Sequence, residues 1–279
     1  MYLINRVAEM KSCSDTYKSE GKIISFVPTM GALHRGHLEL VKNARNIADI
    51  CVVSVFVNPT QFGPNEDFSK YPRDLERDKK LLEELGVDVI FFPDSDEMYG
   101  GRFQTYVEVE HIQKPLCGKF RPGHFRGVAT VVLKLFNIVK PHYAVFGEKD
   151  YQQLRVIKQM VSDLNVDVEV LSHPIVREES GLALSSRNEY LGDDKKQRAA
   201  SISHALFNVK KCFDDGINDK DKLLDRANSI LDNAGIEEVE YLDIVDGYDL
   251  SEKKTADSGD VVAIAARLGG TRLIDNIRL

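Results

Sequence analysis

Residues 27–40, VPTMGALHRGHLEL, decide how this chain is read. The β-prone run Ile23–Val27 leads into them and ends at Pro28. A turn through Thr29, Met30, Gly31 and Ala32 follows, and then His34 and His37 with Gly36 between them. From there Leu38, Val41, Ala44, Ile47 and Ala48 recur on one helical face. Strand, glycine-bearing turn, helix is the arrangement that sets a helix N-terminus against a phosphate. A glycine lets the backbone approach a ligand closely, and the first-turn N–H groups carry partial positive charge without intrahelical partners. His34 and His37 are three apart, so at a helix start they share a face and can reach one ligand. Two other readings stand beside a phosphate site. A metal pair needs a third ligand that no Cys/His cluster supplies, and both residues also suit an ordinary surface.

The wider chain has the composition of a soluble globular protein. Its 279 residues suffice for one large domain or two modest ones, and 43% apolar with 29% charged is ordinary globular composition. A net charge of −7 argues against a general nucleic-acid binder and leaves room for a local cationic pocket. The opening MYLINRVAEMKSC lacks the apolar core of a signal peptide, and runs such as Ile50–Val57 are too short to span a bilayer. Cys13, Cys51, Cys117 and Cys212 are scattered without a CxxC, as reduced thiols of a cytoplasmic protein would be. The expected location is therefore cytoplasmic, with no nucleic-acid and no membrane partner.

Taken in order, residues 4–19 read as a polar helix closed by Gly21, and Ile23–Val27 as the first strand. A helix from about Gly36 to Asp49 enters the wholly apolar strand Ile50–Val57, the pattern of a parallel strand buried on both faces. The loop Asn58–Tyr71 leaves the C-terminal end of that strand, where ligands of open α/β sheets bind; its Gln61 and Phe62 pair an amide with an aromatic ring, which suits a small polar ligand or else a solvated loop with one buried Phe. Pro72–Leu85 is a helix with Pro at its start and Gly86 beyond its end. Val87–Phe92 is a strand, Thr105–Val109 alternates like a short edge strand, and Leu116–Phe125 is a loop bearing Lys119, Arg121 and His124. That cationic loop fits either an anion or a solvated turn. The helix Gly127–Val139 and strand Tyr143–Phe146 lead to Gly147, Glu148, Lys149 and Asp150 at the head of the helix Tyr151–Leu164. This second strand–turn–helix junction offers Lys149 to a phosphate and Asp150 to a ribose hydroxyl, or else an acidic helix cap. Gln153 lies three residues past Asp150 on the same face.

Beyond the strand Val166–Leu171 and His173-Pro174 the character changes. Leu184, Ser185, Ser186 and Arg187 set two hydroxyls beside a guanidinium, a clamp for phosphoryl oxygens or a simple turn. Helices over Lys195–Phe213 and Lys220–Asn233 precede strands over Val239–Val245, Val261–Arg267 and Arg272–Leu279. The expected fold class is α/β: a Rossmann-like doubly wound parallel sheet over residues 1–175 and a second, smaller α+β domain over 176–279.

The P-loop pattern GxxxxGK[ST] and the dinucleotide GxGxxG are both absent. Present instead, in order, are PTMGALHRGH at 28–37, NPTQF at 58–62, GEKDYQQ at 147–153 and LSSRN at 184–188. On these four segments the chain resembles the pantothenate synthetase (pantoate–β-alanine ligase) family of the HIGH-type nucleotidyltransferase superfamily. The resemblance runs from about Ile23 to Tyr190 and more loosely through the C-terminal region.

The resemblance implies a two-step ligation. The carboxylate of (R)-pantoate attacks ATP to give pantoyl adenylate and pyrophosphate, and β-alanine then takes the acyl group to give pantothenate and AMP. By matching position, Met30, Gly31, Ala32, Leu33, His34, Arg35, Gly36 and His37 line the ATP site, with His37 as proton donor. Gly147, Glu148, Lys149 and Asp150 form its second segment, Val176 gives a backbone contact to adenine, and Leu184, Ser185, Ser186 and Arg187 clamp the phosphates. His34, His37, Lys149 and Arg187 are the catalytic set. Gln61 binds pantoate and β-alanine, and Gln153 binds pantoate. Leu184 stands where the family more often has Met, an exchange that a backbone or apolar contact survives. Mg²⁺ accompanies ATP with no protein ligand assigned. Asp74 and Asp78 are read as helix-surface charge. The resemblance also implies a homodimer, and a C-terminal domain that closes over the site. A related enzyme that adenylylates a phosphate-bearing acceptor shares the histidines and the Ser-Ser-Arg clamp, but it gives no reason for Gln61 and Gln153. A non-catalytic ATP-binding protein is expected to have lost Lys149, His37 or Arg187, all of which are present.

Overall fold

The computed structural model describes residues 1–64 and 66–279; Asn65, inside the loop read over 58–71, lies outside the described residues. In chain order the first elements are β1 (Tyr2–Ile4), α1 (Val7–Ser19), β2 (Ile24–Thr29), α2 (Arg35–Asn46) and β3 (Ile50–Val55). A 3-10 turn (Pro59–Gln61), α3 (Leu75–Glu84), β4 (Val89–Phe91), α4 (Ser95–Tyr99), α5 (Cys117–Phe120) and α6 (His124–Val139) follow. Then come β5 (Tyr143–Gly147), a 3-10 turn (Glu148–Asp150), α7 (Tyr151–Asp163) and β6 (Glu169–His173). The remainder is a 3-10 turn (Ser186–Tyr190), α8 (Asp193–Asp214), α9 (Lys220–Asn233), β7 (Glu238–Val245), β8 (Val261–Leu268) and β9 (Thr271–Arg278).

Six strands form one parallel sheet in the order β1-β4-β3-β2-β5-β6. This is the doubly wound parallel sheet expected from the sequence, with the direction of winding reversing between β2 and β5. The central strands are apolar on both faces because helices cover both: Ile24, Phe26, Val27, Cys51, Val52 and Val53 are fully buried. One apolar cluster joins Val27, Leu33, Val41, Val53, Leu82 and Val145. A second sheet, β7-β8-β9, is antiparallel, and its core cluster unites α8 and α9 with Ile244, Val262, Ile264, Leu273 and Leu279.

The chain divides into two compact units. One comprises Met1–Glu110, Arg121–Glu148 and Val156–Pro174; the other comprises His111–Phe120, Lys149–Arg155 and Ile175–Leu279.

Several local expectations are corrected. The chain opens with a strand, β1, and the helix read from residue 4 begins at Val7, whose N–H is capped by Glu97 Oε1 at 2.7 Å. Residues 105–109 form no strand; the Val107 N–H goes to Thr130 Oγ1 at 2.9 Å. Within the loop read over 116–125, residues 117–120 are helical, and the next helix starts at His124, after Gly123 in the left-handed region. The strand placed at 166–171 lies at Glu169–His173.

Candidate active site

The first turn is built by local chemistry. At the end of β2, Thr29 Oγ1 donates to Ser54 O at 2.7 Å and accepts the Gly31 N–H at 3.1 Å. Gly31 and Ala32 both take positive φ, +79° and +50°. A Cβ on Gly31 would sit 2.9 Å from Asp78 Oδ2 and 3.0 Å from Val55 Cγ1, so conformation and space both require glycine. Leu33 anchors the turn in the apolar cluster. His34 is the N-cap of α2: its Nδ1 accepts the Gly36 N–H at 3.1 Å, while His37 Nδ1 accepts the His34 N–H at 3.4 Å. This is a capping box made by imidazoles, with ring centroids 4.1 Å apart. Because Nδ1 accepts in both rings, each neutral ring carries its proton on Nε2. Met30, Gly36 and His37 are half-buried and Arg35 is exposed.

Asp78 corrects the reading of that residue as surface charge. It is 1% exposed, and its carboxylate accepts the N–H groups of Ala32 at 2.9 Å and Leu33 at 2.8 Å. Burial pushes its carboxyl above the ordinary range, and the two N–H groups pull the other way. Asp74, by contrast, is an exposed N-cap for α3, accepting the Arg77 N–H at 3.0 Å. The signal for Asp78 was its place on the helix face of Leu75, Leu82 and Leu85, where a solvated charge does not belong.

Gln61 is also buried, at 8% exposure. Its Oε1 accepts from Asn58 Nδ2 at 3.0 Å, and its Nε2 lies 3.2 Å from Met30 Sδ, which brings it to the first turn. Its main-chain carbonyl takes His124 Nδ1 at 2.8 Å and Arg121 Nη2 at 3.4 Å. Arg121 is itself held by both oxygens of Glu66, at 2.7 and 2.5 Å. Burial raises the Glu66 carboxyl, while Arg121, with help from the Gly63 main chain, draws it down, and the net position is below its usual range. Arg121 and His124, both from the loop read over 116–125, therefore brace the main chain of Gln61. Asn58, which the motif reading passed over as part of a loop, also receives Tyr99 Oη at 2.5 Å. Helix α6 approaches this turn backbone to backbone: a Cβ on Gly127 would fall 2.3 Å from Thr60 O.

The second junction follows β5. Glu148 accepts from Ser172 Oγ at 2.8 Å. Gly147 and Glu148 belong to the first unit, together with residues 30–37 and Gln61; Lys149, Asp150, Gln153, Val176 and residues 184–187 belong to the second. Lys149 is half-buried, and its positive charge favours the ionised form of the buried Asp275 carboxyl. Asp150 is exposed and Gln153 half-buried. The buried neighbour Gln152 is structural, bonding Ile112 O at 2.9 Å, Pro115 O at 2.7 Å and the Cys117 N–H at 3.0 Å.

Val176 and Leu184 close a hairpin, with the Leu184 N–H on Val176 O at 3.0 Å and a bridge between Arg177 and Ala183. Ser185 Oγ caps the next turn by accepting the Arg187 N–H at 3.2 Å. Ser186 is buried and Arg187 half-buried. Asn188 stiffens the segment, its Nδ2 reaching Ala183 O and Glu178 Oε1, each at 3.1 Å.

Both glycine-bearing junctions leave the C-terminal ends of neighbouring strands, β2 and β5, where the winding of the sheet reverses. Doubly wound sheets bind nucleotides at that position, and the chain falls in this Rossmann-like class. Comparison with known proteins narrows the class. Residues 2–278 match the pantoate-beta-alanine ligase family, and the chain belongs to that family. A pantothenate synthetase of Sulfurihydrogenibium sp. (strain YO3AOP1) is 52% identical over 278 residues, 99% of each chain. The crystal structure of pantothenate synthetase from Thermus thermophilus aligns with a TM-score of 0.94 at 44% identity, covering 100% of this chain and 99% of that one. The pantoate-beta-alanine ligase of Francisella tularensis, solved with beta-gamma ATP and beta-alanine, aligns at 0.82 and 36% identity, covering 100% and 97%.

Proposed function

We propose that the chain condenses (R)-pantoate with β-alanine in two steps. A pantoate carboxylate oxygen attacks the α-phosphorus of ATP, and the bond from that phosphorus to the bridging oxygen breaks to release pyrophosphate. The β-alanine amine then attacks the acyl carbon of pantoyl adenylate, AMP leaves, and the amine nitrogen gives up a proton. A free carboxylate is a poor acyl electrophile, whereas AMP is a good leaving group, so the enzyme's task is positioning and charge stabilisation.

The observation that carries this reading is the pair of turns after β2 and β5 at the reversal of the sheet. In the proposal, Met30, Gly31, Ala32, Leu33, Arg35 and Gly36 line the nucleotide, and the Nε2–H groups of His34 and His37 point their hydrogen bonds at phosphate oxygens. Lys149 meets charge that builds on the α-phosphate. Gly147, Glu148 and Asp150 complete that segment, and Val176 meets adenine through its main chain. Leu184, Ser185, Ser186 and Arg187 hold the departing pyrophosphate. Gln61 and Gln153 orient the pantoate. Mg²⁺ belongs to the proposal as ATP's counter-ion. Mg²⁺ usually keeps several waters and phosphate oxygens as ligands, so the proposal assigns it no protein ligand. When bound, it offsets phosphate charge. We place the working division of the chain at 175/176, and the enzyme in the cytoplasm as a homodimer. No helix among the described residues is long and apolar enough to cross a membrane.

The test is exchange of labelled pyrophosphate into ATP, with and without (R)-pantoate and with no amine present. Exchange that requires pantoate is the expected result; exchange that a phosphate ester supports and pantoate does not would overturn the acceptor.

A further inference from the structure

Asp275 and Asn276 are adjacent in β9, and both are nearly out of solvent, at 4% and 6% exposure. Neighbouring residues of a strand point to opposite faces. Asp275 therefore shares its face with Leu273 and Leu279 of the C-terminal core, and Asn276 shares the other with Arg272. On the core face, Asp275 receives the Arg177 guanidinium bidentately, at 2.6 and 2.9 Å. Arg177 also bonds Gly181 O at 3.0 Å, so the hairpin that runs into Leu184–Arg187 is tied to β9. On the opposite face, Asn276 Nδ2 donates to Lys149 O at 3.0 Å. The Asn276 N–H returns to Asp275 Oδ1 at 2.8 Å, which links the two anchors.

We propose that this two-residue step is a positioning device for adenylate formation, with Asn276 holding the main chain of Lys149 and Asp275 holding the hairpin that carries the Ser-Ser-Arg segment. The proposal rests on the roles given above to Lys149 and Arg187. A lysine ammonium rides on four flexible carbons, so its placement is only as good as the anchoring of its backbone. Lys149 lies in a short 3-10 turn, which is a weak anchor by itself. β9 is a firm one, since it pairs with β8 over its whole length, from Val261↔Arg278 to Leu268↔Thr271. The buried carboxamide transfers that firmness to the turn. In the proposal Asp275 and Asn276 act through Lys149 and the hairpin.

The experiment is a double-mutant cycle read by pantoate-dependent pyrophosphate exchange, with thermal unfolding of each variant as a check on folding. Asn276→Ala should lower kcat by about 10- to 100-fold, the cost of misplacing a catalytic group by around an ångström. The KM for ATP should stay within about threefold, because ground-state binding is spread over many other groups. In a Lys149→Ala background the same Asn276→Ala change should cost less than about twofold, because the residue it positions is gone. Equal losses in both backgrounds would mean general structural damage and would overturn the proposal, as would full kcat in Asn276→Ala. If Asn276→Ala does not fold, Asn276→Ser carries the same cycle. Full activity in Lys149→Ala alone would refute the assigned role of Lys149, and the proposal with it, by a result separate from any reading of Asn276.

Discussion

The carboxylate of Asp78 on α3 accepts the main-chain N–H of Leu33 at 2.8 Å, across 45 residues of sequence. With the companion bond from Ala32, it fixes a turn whose φ values at residues 31 and 32 are positive. The arrangement sets a buried carboxylate behind a loop assigned to bind an anion. Its electrostatic effect on ATP is repulsive, so its value lies in geometry. It consumes two N–H groups that would otherwise be buried without partners, and it leaves the α2 N-terminus to the ligand.

Asp78→Asn separates these two effects. The amide keeps one acceptor oxygen and turns an NH₂ toward the second N–H, leaving a buried donor unpaired at a cost of about 1–3 kcal/mol. If geometry dominates, the KM for ATP rises by about tenfold or more despite the loss of negative charge. A KM that falls would show that Asp78 acts mainly by repulsion. Steady-state kinetics with a parallel melting curve decides the matter.

Gly31→Ala tests the same turn from the other side. The added Cβ would meet Asp78 Oδ2 at 2.9 Å and Val55 Cγ1 at 3.0 Å, in a backbone conformation that L residues avoid. We expect a loss of about 1–3 kcal/mol of stability, with impaired ATP binding. Denaturant unfolding at neutral pH measures the first and ATP titration the second. Unchanged values in both would remove the steric argument.

How far the sequence reveals this fold depends on where each residue finds its partners. β2 and β3 are legible because strands covered on both faces are written as unbroken apolar runs. β1 is hidden because it is three residues long at the edge of the sheet, with Tyr2 and Leu3 exposed. Residues 105–109 mislead because they alternate like a strand, while the Val107 N–H finds a threonine hydroxyl instead of a neighbouring strand. The junctions after β2 and β5 carry local signatures of glycine, histidine and lysine, so the candidate site is readable there. The apolar face of α3 marks Asp78 as buried but not what it binds, and nothing near Asn276 marks it at all, since their partners lie 45 to 127 positions away.

Gln61→Ala should weaken pantoate far more than ATP. The side chain is buried beside Met30, and truncating it also leaves Asn58 Nδ2 without one of its acceptors. Lost hydrogen bonds at a polar subsite predict a rise of about tenfold or more in pantoate KM. The KM for ATP should move by about threefold at most. Equal shifts for both substrates would take Gln61 out of the acid site.

Lys149→Ala should cut pantoate-dependent pyrophosphate exchange by about 10²- to 10³-fold, the usual cost of removing one group aimed at developing charge. The fold should survive, because Lys149 is only half-buried, and Asp275, which feels its charge, keeps its bidentate Arg177 partner. Single-turnover measurement of AMP formation separates this step from product release. Near-normal rates would remove Lys149 from the chemistry.

Glu66 supplies a pH-dependent test of the brace behind Gln61. Burial raises its carboxyl, but Arg121 together with the Gly63 main chain draws it down, so the folded-state value lies below the unfolded one. For a carboxyl shifted in that direction, the folded state holds fewer protons than the unfolded state between the two values, so stability increases with pH there. The contribution is complete above the ordinary glutamate value of about 4.3 and is lost as pH falls through the lowered one. The melting temperature of the native chain should therefore exceed that of Glu66→Gln by a constant margin at neutral pH, and the margin should shrink below about pH 4.3. Because Arg121 also reaches the Gln61 carbonyl, Glu66→Gln should raise the pantoate KM at neutral pH and leave the KM for ATP alone. A margin that is constant down to the lowest pH at which both proteins remain folded would show that the Arg121 pair does not set the titration of Glu66.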